Sequence, residues 1–323
     1  MEAITSTTDS MNTVPTLHPS SSGFNIDDIA EKVTTSTATY YRLPVDPDDA
    51  DSEMLYVEAK QLQMIIRFLA AGEPIALLGE AGSGKTELSR AIGRHFMKHL
   101  GVEALYQQEF AAVFHADILD GYMQLRNGST EHIPSEHLKA IRAAADGKKV
   151  FYILDEVNRA TPQGLNAMLR LYQQWDYIAS TQEHYTVDPN NLISVATLNI
   201  GHGFSGAHVM DDAFLDRWSP IELAAPPAQI LARILADRFS EDVLSAKEQK
   251  NLVNLYEKSR KGDRRDYKLG VRDVLRIAKG IAIGGHDLFT SLDIFIGGAV
   301  RLRNMPAEQS ESLITLARSM SSN

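Results

Sequence analysis

The chain contains no cysteine, which excludes disulfide bridges, thiolate metal sites and cysteine nucleophiles. It also has no uninterrupted apolar run of membrane-spanning length, and its first residues lack the basic and apolar stretches of an export signal. Positive charge is scarce too: the net charge is −10 at pH 7, which argues against a surface devoted to nucleic-acid backbones. These absences predict a cytoplasmic protein without a membrane segment.

The chain divides into three regions of different character. Residues 1–53 are rich in Ser and Thr with little periodic apolar content, which predicts a disordered N-terminal arm. In residues 54–225, short apolar runs alternate with helical patterns, which is typical of an α/β domain whose parallel sheet is flanked by helices. Residues 226–323 have helical periodicity, which predicts a small all-helical domain followed by a C-terminal tail.

Two hairpins are expected between the strands of the α/β domain. The first joins residues 122–125 to residues 130–133 through Asn127 and Gly128, a pair that favours a two-residue hairpin turn. The second lies within residues 176–187, just before an apolar run at residues 192–198.

A glycine-rich loop follows the predicted strand at residues 74–78 and precedes a predicted helix. Its sequence, GEAGSGKT, matches the full G-x-x-x-x-G-K-T pattern, in which backbone amides surround the phosphates of a nucleotide. In this pattern Lys85 reaches the β- and γ-phosphates and the hydroxyl of Thr86 binds Mg²⁺. The expected nucleotide-binding residues of the loop are Gly79, Glu80, Ala81, Gly82, Ser83, Gly84, Lys85, Thr86 and Glu87.

Two acidic residues, Asp155 and Glu156, end the apolar run at residues 150–154. A carboxylate at the end of a strand beside the phosphate loop can hold Mg²⁺, so Asp155 is the second expected metal ligand. Glu156 is placed to orient and deprotonate the attacking water. Two acids at one strand end favour hydrolysis over nucleotide binding alone.

With both acids in place, the stretch LDEVNRA at residues 154–160 resembles the D-E-[IV]-N-R-A signature of AAA+ ATPases of the MoxR and CobS kind. The likeness continues through AMLRLYQQWDY, the second hairpin and LISVATLN, and then through DAFLDRW at residues 212–218. It covers about residues 60–285. The resemblance implies a P-loop AAA+ fold, with a parallel sheet flanked by helices and a small all-helical lid domain.

The same resemblance implies roles for three residues outside the phosphate loop. Asn199 would be the sensor 1 residue, which contacts the γ-phosphate or the attacking water. Arg217 would be an arginine finger that reaches the nucleotide of a neighbouring subunit, and Arg272 would be a sensor 2 residue that binds the nucleotide from the lid. The implied catalytic residues are therefore Lys85, Glu156, Asn199 and Arg217, and the implied cofactors are ATP and Mg²⁺.

The resemblance further implies a homo-oligomeric ring, most commonly a hexamer, that remodels or matures a partner protein complex as a chaperone or chelatase-type motor. The implied client is a protein that carries a von Willebrand factor A domain. Two alternatives stay open. Basic residues from Lys258 to Arg276 favour a nucleic-acid-directed ATPase, such as a helicase loader or a restriction-type subunit. A slow nucleotide-controlled binding switch would need no rapid hydrolysis.

Overall fold

The computed structural model describes residues 25–110, 119–200, 212–261 and 268–302, together with isolated residues beyond 310. The strands are β1 (Glu31–Thr34), β2 (Thr39–Pro44), β3 (Met54–Glu58), β4 (Ile75–Gly79), β5 (Ala104–Glu109), β6 (Gly121–Arg126), β7 (Ser129–Pro134), β8 (Val150–Asp155), β9 (Asp176–Ile178), β10 (His184–Thr186), β11 (Leu192–Asn199) and β12 (Ser219–Glu222). The helices are α1 (Ala59–Ala70), α2 (Lys85–His99), α3 (Glu136–Ala145), α4 (Pro162–Gln174), α5 (Asp212–Leu215), α6 (Ala228–Arg238), α7 (Ala246–Lys261), α8 (Val271–Gly284) and α9 (Leu288–Leu302).

A five-stranded parallel sheet forms the centre of the molecule, with the strand order β12-β4-β11-β8-β5. Every residue of β8 and β11 is buried, because helices cover both faces of the sheet. The carboxyl ends of these parallel strands meet at one edge, which is where ligands bind in open α/β sheets. The predicted α/β fold is confirmed.

Alternating residues of β8 supply two separate hydrophobic cores. Phe151 and Ile153 pack on the side of α1 and α2, whereas Tyr152 and Leu154 pack on the side of α3 and α4. This follows from the two-residue period of a strand, which sends successive side chains to opposite faces. The sheet is therefore fixed from both sides, and the loops at its carboxyl edge are built on a rigid base.

A second, antiparallel sheet precedes the central one, with the order β1-β2-β3. The expectation of a disordered arm is therefore wrong for residues 25–53, while residues 1–24 lie outside the described part of the chain. Tyr41 and Leu43 alternate along β2 and are buried in the core that contains Leu62 and Ile65 of α1. Composition predicted disorder because the few apolar residues of this segment are stabilised by distant partners and not by each other.

The two hairpins lie where the sequence predicts them. β6 pairs with β7 across Asn127 and Gly128, and both turn residues have positive φ, 49° and 84°. This is the backbone conformation that a two-residue hairpin turn requires. β9 pairs with β10 to form the second hairpin.

In the described part of the chain, four helices, α6 to α9, follow β12 and bury their own hydrophobic core. Leu231, Leu252, Ile277 and Leu292 contribute one side chain from each helix, and all four are fully buried. The helical character predicted for this region is confirmed for its described residues. Across the part of the chain that the structure describes, no helix combines the length and apolar character needed to cross a membrane.

Candidate nucleotide site

The glycine-rich loop connects β4 to α2 at the carboxyl edge of the central sheet. Gly82 and Gly84 have φ angles of 79° and 86°. Residues other than glycine adopt this left-handed backbone conformation only at a cost in free energy. Gly84 is the residue just before α2, so the chain turns sharply and the helix starts at Lys85. The N-terminus of α2 thus faces the loop, and its free N–H groups and dipole favour an anion there.

Lys85 folds back over the loop that precedes it. Its Nζ donates to the carbonyl oxygens of Gly79 and Glu80, each at 2.9 Å, and the side chain is buried. Burial lowers the pKa of Lys85 to about 8, while the carboxylates of Glu156 and Asp155 oppose this shift. The loop therefore holds a desolvated ammonium group at the start of α2, where a phosphate oxygen can contact it.

Asp155 is the most highly connected acid of the site. Its Oδ1 accepts hydrogen bonds from the hydroxyls of Thr86 and Thr197, each at 2.7 Å, and its Oδ2 accepts one from Gln107 Nε2 at 3.0 Å. The two metal ligands expected from the sequence, Thr86 and Asp155, are thus in direct contact. Hydroxyl and carboxylate oxygens are the donors that Mg²⁺ prefers, so these residues fit that ion.

Sequence reasoning missed Thr197 and Gln107. Thr197 lies on β11 and Gln107 on β5, the two neighbours of β8 in the sheet. Thr197 and Ser194 are the two hydroxyl side chains of the buried strand β11, and a hydroxyl so close to the end of a buried strand was the signal that could have identified Thr197. Gln107 is itself fixed by Arg90 of α2, whose Nε donates to Gln107 Oε1 at 2.6 Å.

Glu156 adopts the left-handed conformation, with φ 54°, which turns its side chain away from the direction of β8. Its backbone N–H donates to Thr197 Oγ1 at 2.8 Å, which stabilises this turn. Asn199 Nδ2 donates to Glu156 Oε1 at 2.8 Å, and Arg159 Nε lies 2.9 Å from Glu156 Oε2. The structure therefore brings together Glu156 and Asn199, as the sequence predicts, and adds Arg159 as a partner of the same carboxylate.

Arg272 approaches the loop from the helical region. A Cβ atom placed on Gly82 would lie 3.0 Å from Cβ of Arg272, so the first turn of α8 packs directly against the loop. Arg260 of α7 makes a second contact there, with its Nη1 3.2 Å from Oε2 of Glu80. The predicted lid residue is thus beside the phosphate loop.

Arg217 differs from the other predicted residues. Its Nη1 donates to the carbonyl oxygen of Ala213, one turn earlier in its own segment. Its Nε is buried without a hydrogen-bond partner among the described residues. The site of one chain is therefore assembled around Lys85, Asp155 and Glu156, with Arg217 held in its own segment.

A cavity of about 380 Å³ lies beside the loop, with Gly82, Ser83 and Gly84 in its wall. Tyr40 of β2 and residues of β3 line it on one side, and residues of α6 and α8 line it on another. Among the described residues, no group of three or more His, Cys, Asp or Glu side chains could hold a metal ion. A metal at Thr86 and Asp155 would thus need further oxygen ligands from a phosphate or from water.

Part of the chain is similar to known proteins. Residues 74–218 match the family model described as an AAA domain of the dynein-related subfamily. Midasin of Giardia intestinalis is 28% identical over 195 residues, which make up 58% of this chain and 4% of midasin, so the chain spans a small part of that relative. A crystal structure called "putative ATPase from Cytophaga hutchinsonii" aligns with a TM-score of 0.40 at 16% identity, covering 63% of this chain and 65% of the other.

The lowered pKa of Lys85 gives the first prediction. In an NMR titration of the protein with ¹³Cε-labelled lysine and no ligand, Lys85 should lose its proton near pH 8, whereas exposed lysines titrate near ~10.4. Its signal is identified by its absence from the Lys85→Met variant. The folded protein loses this proton at a lower pH than the unfolded chain does. The free energy of unfolding should therefore rise with pH between about 8 and 10, when compared with that of the Lys85→Met variant. A midpoint shared with the exposed lysines would contradict the buried placement.

Proposed function

We propose that this chain binds ATP with Mg²⁺ and hydrolyses the terminal phosphate bond, because residues 74–218 match the model of the AAA domain of the dynein-related subfamily. One observation carries the proposal: Asp155 contacts the hydroxyl of Thr86, and the next residue, Glu156, is held by Asn199. The loop and Lys85 alone would be enough to bind an anion. The two adjacent acids add a metal ligand and a base, which are the groups that hydrolysis requires.

The triphosphate would lie over the loop at the start of α2. Lys85 now donates to two carbonyl oxygens of the loop, and it would exchange these bonds for phosphate oxygens. The negative charge of the phosphates raises the pKa of the lysine and keeps it protonated. Thr86 and Asp155 would hold Mg²⁺, which when bound neutralises charge on the β- and γ-phosphate oxygens.

Glu156 would act as the general base. A water molecule attacks the γ-phosphorus, the bond to the bridging oxygen between the β- and γ-phosphates breaks, and the water proton passes to the Glu156 carboxylate. ADP and phosphate are the products. Asn199 and Arg159 engage both carboxylate oxygens of Glu156, so one of these contacts must open before the carboxylate can accept the proton. The ion pair with Arg159 is the weaker restraint, because the Arg159 side chain is 46% exposed to solvent.

We extend the proposal to the assembly and its client. The chain would form a homo-oligomeric, hexameric ring in the cytoplasm, in which Arg217 completes the site of the neighbouring subunit. The ring would remodel or mature a partner protein complex, as MoxR/CobS-like chaperones and chelatase-type motors do, with a von Willebrand factor A protein as client. The first hairpin supports a client role, since Tyr122, Met123 and Leu125 are exposed on it.

A nucleic-acid-directed role receives less support. Of the basic run at residues 258–276, Arg260 pairs with Glu80, Lys261 pairs with Glu257, and Arg276 lies over the ring of Phe295. Residues 262–267 lie outside the described part of the chain. Arg260, Lys261 and Arg276 thus have partners within the protein.

The substitution Glu156→Gln tests hydrolysis directly. It removes the base but keeps the shape of the side chain, so the rate of phosphate release should fall by about 10² to 10⁴. ATP binding, measured by calorimetry, should persist because the loop, Lys85 and Asp155 are unchanged. Glu136→Gln is the matched control, since Glu136 is a surface acid paired with Lys139 and should leave the rate unaltered. Full client activity in Glu156→Gln would instead favour the slow binding switch.

A mixing experiment tests Arg217. Lys85→Ala subunits should bind ATP poorly but retain Arg217, and Arg217→Ala subunits should bind ATP but lack the arginine. Each variant alone should be inactive, and the rate of phosphate release by Arg217→Ala should be about 10³-fold or more below that of the unmodified protein. Mixed rings should recover part of the phosphate release, because an intact arginine then faces an intact loop. A mixture of Lys85→Ala with the double variant is the control, and recovery absent from both mixtures would oppose a role for Arg217 between subunits.

A further inference from the structure

The N-terminal sheet borders the proposed nucleotide site from outside the region that matches the AAA family. The cavity beside the phosphate loop has Gly82 and Gly84 at one end. Tyr40 and Tyr56 of the N-terminal sheet and Leu275 of α8 lie in its remaining walls. The phosphates of a nucleotide bind at the loop, so its ribose and base must extend toward those walls. They are built by residues before 74 and after 218, beyond the family match.

One carboxylate joins this sheet to the helical region. Asp237, near the end of α6, accepts two hydrogen bonds from the guanidinium of Arg42, with Nε to Oδ2 at 3.0 Å and Nη2 to Oδ1 at 3.2 Å. It accepts a third from the hydroxyl of Tyr56 at 2.7 Å. We call Arg42, Tyr56 and Asp237 the latch. Beside it, Arg238 Nη2 lies 2.8 Å from Oε2 of Glu53.

The geometry of the latch makes it stronger than an ordinary surface ion pair. The guanidinium binds both carboxylate oxygens, and the side chains of Arg42 and Asp237 are only 30% and 23% exposed. Burial, followed by the bond to Asp237, raises the pKa of Tyr56 to about 12, so its hydroxyl stays protonated as a donor at neutral pH. Tyr56 also lines the cavity, whereas Asp237 does not.

Contacts at the phosphate loop and at the latch attach the helical region to the rest of the molecule. At the phosphate end, Arg260 pairs with Glu80, and Arg272 packs on Gly82. Away from the loop, the latch holds α6 against β2 and β3. Loosening the latch should therefore alter the walls around the ribose and base, while the contacts at the phosphate end keep their geometry.

We propose that the latch is part of the nucleotide site: it sets the wall formed by β3 and α6 that receives the ribose and base, and Asp237 is its positioning residue. This inference rests on the proposed ATP binding. It assigns a nucleotide-binding task to the N-terminal sheet and to one carboxylate that makes no contact with the cavity itself.

The test compares ATP with inorganic tripolyphosphate, which has the phosphates but no ribose or base. Both would be titrated calorimetrically with Mg²⁺ into the full chain carrying Glu156→Gln, which keeps ATP intact. Adding Asp237→Asn should weaken ATP binding about five- to tenfold, as expected for the loss of charged hydrogen bonds. Tripolyphosphate binding should change less than twofold. Asp237→Glu, which restores a carboxylate, should recover part of the loss.

Glu31→Gln is the matched control, because it removes only the 3.4 Å contact between the exposed Glu31 and Arg42 and should leave both affinities unchanged. If Asp237→Asn does not fold, Tyr56→Phe deletes a single hydroxyl and should weaken ATP selectively in the same direction. An unchanged ATP affinity, or an equal loss for both ligands, would overturn the role of the latch. If the chain with Glu156→Gln alone binds neither ligand, the proposed function itself fails.

Discussion

The site depends on one buried carboxylate, Asp155. Its oxygens join the phosphate loop through Thr86, β11 through Thr197 and β5 through Gln107, so three separate parts of the chain are tied to the end of β8. Removing a buried, hydrogen-bonded carboxylate leaves its donors unpaired, which costs more than a surface contact would. The same atoms are the ones that fit Mg²⁺. Structural order and the proposed metal binding thus depend on the same oxygens.

Patterns within one segment of the chain predicted much of the fold. The phosphate loop could be predicted because its glycines and Lys85 lie within eight residues. The first hairpin could be predicted because Asn127 and Gly128 favour one type of turn. The buried strands β8 and β11 were visible as continuous apolar runs. Each of these signals is contained in a short stretch, so no knowledge of tertiary contacts was required.

Features that depend on distant partners were missed. β1 and β2 have few apolar residues, and they are ordered because Tyr41 and Leu43 pack against α1. Thr197 and Gln107 acquire their roles only when parallel strands end side by side. Asp237 lies 195 residues from Arg42 in sequence, and no local pattern marks the pair. The features that could not be predicted are therefore contacts between distant segments, whereas the features that could be predicted lie within a single segment.

The central claim is that Thr86 and Asp155 form a metal site that works together with ATP. Electron paramagnetic resonance of Mn²⁺, a spectroscopic substitute for Mg²⁺, tests it most directly in the Glu156→Gln background. Compared with Mn²⁺ and ATP alone, the signal should change further as protein is added, and Asp155→Asn should weaken this protein-dependent change at least tenfold. Equal binding of ATP with and without a divalent cation, together with unchanged Mn²⁺ binding in Asp155→Asn, would contradict a metal site at these residues.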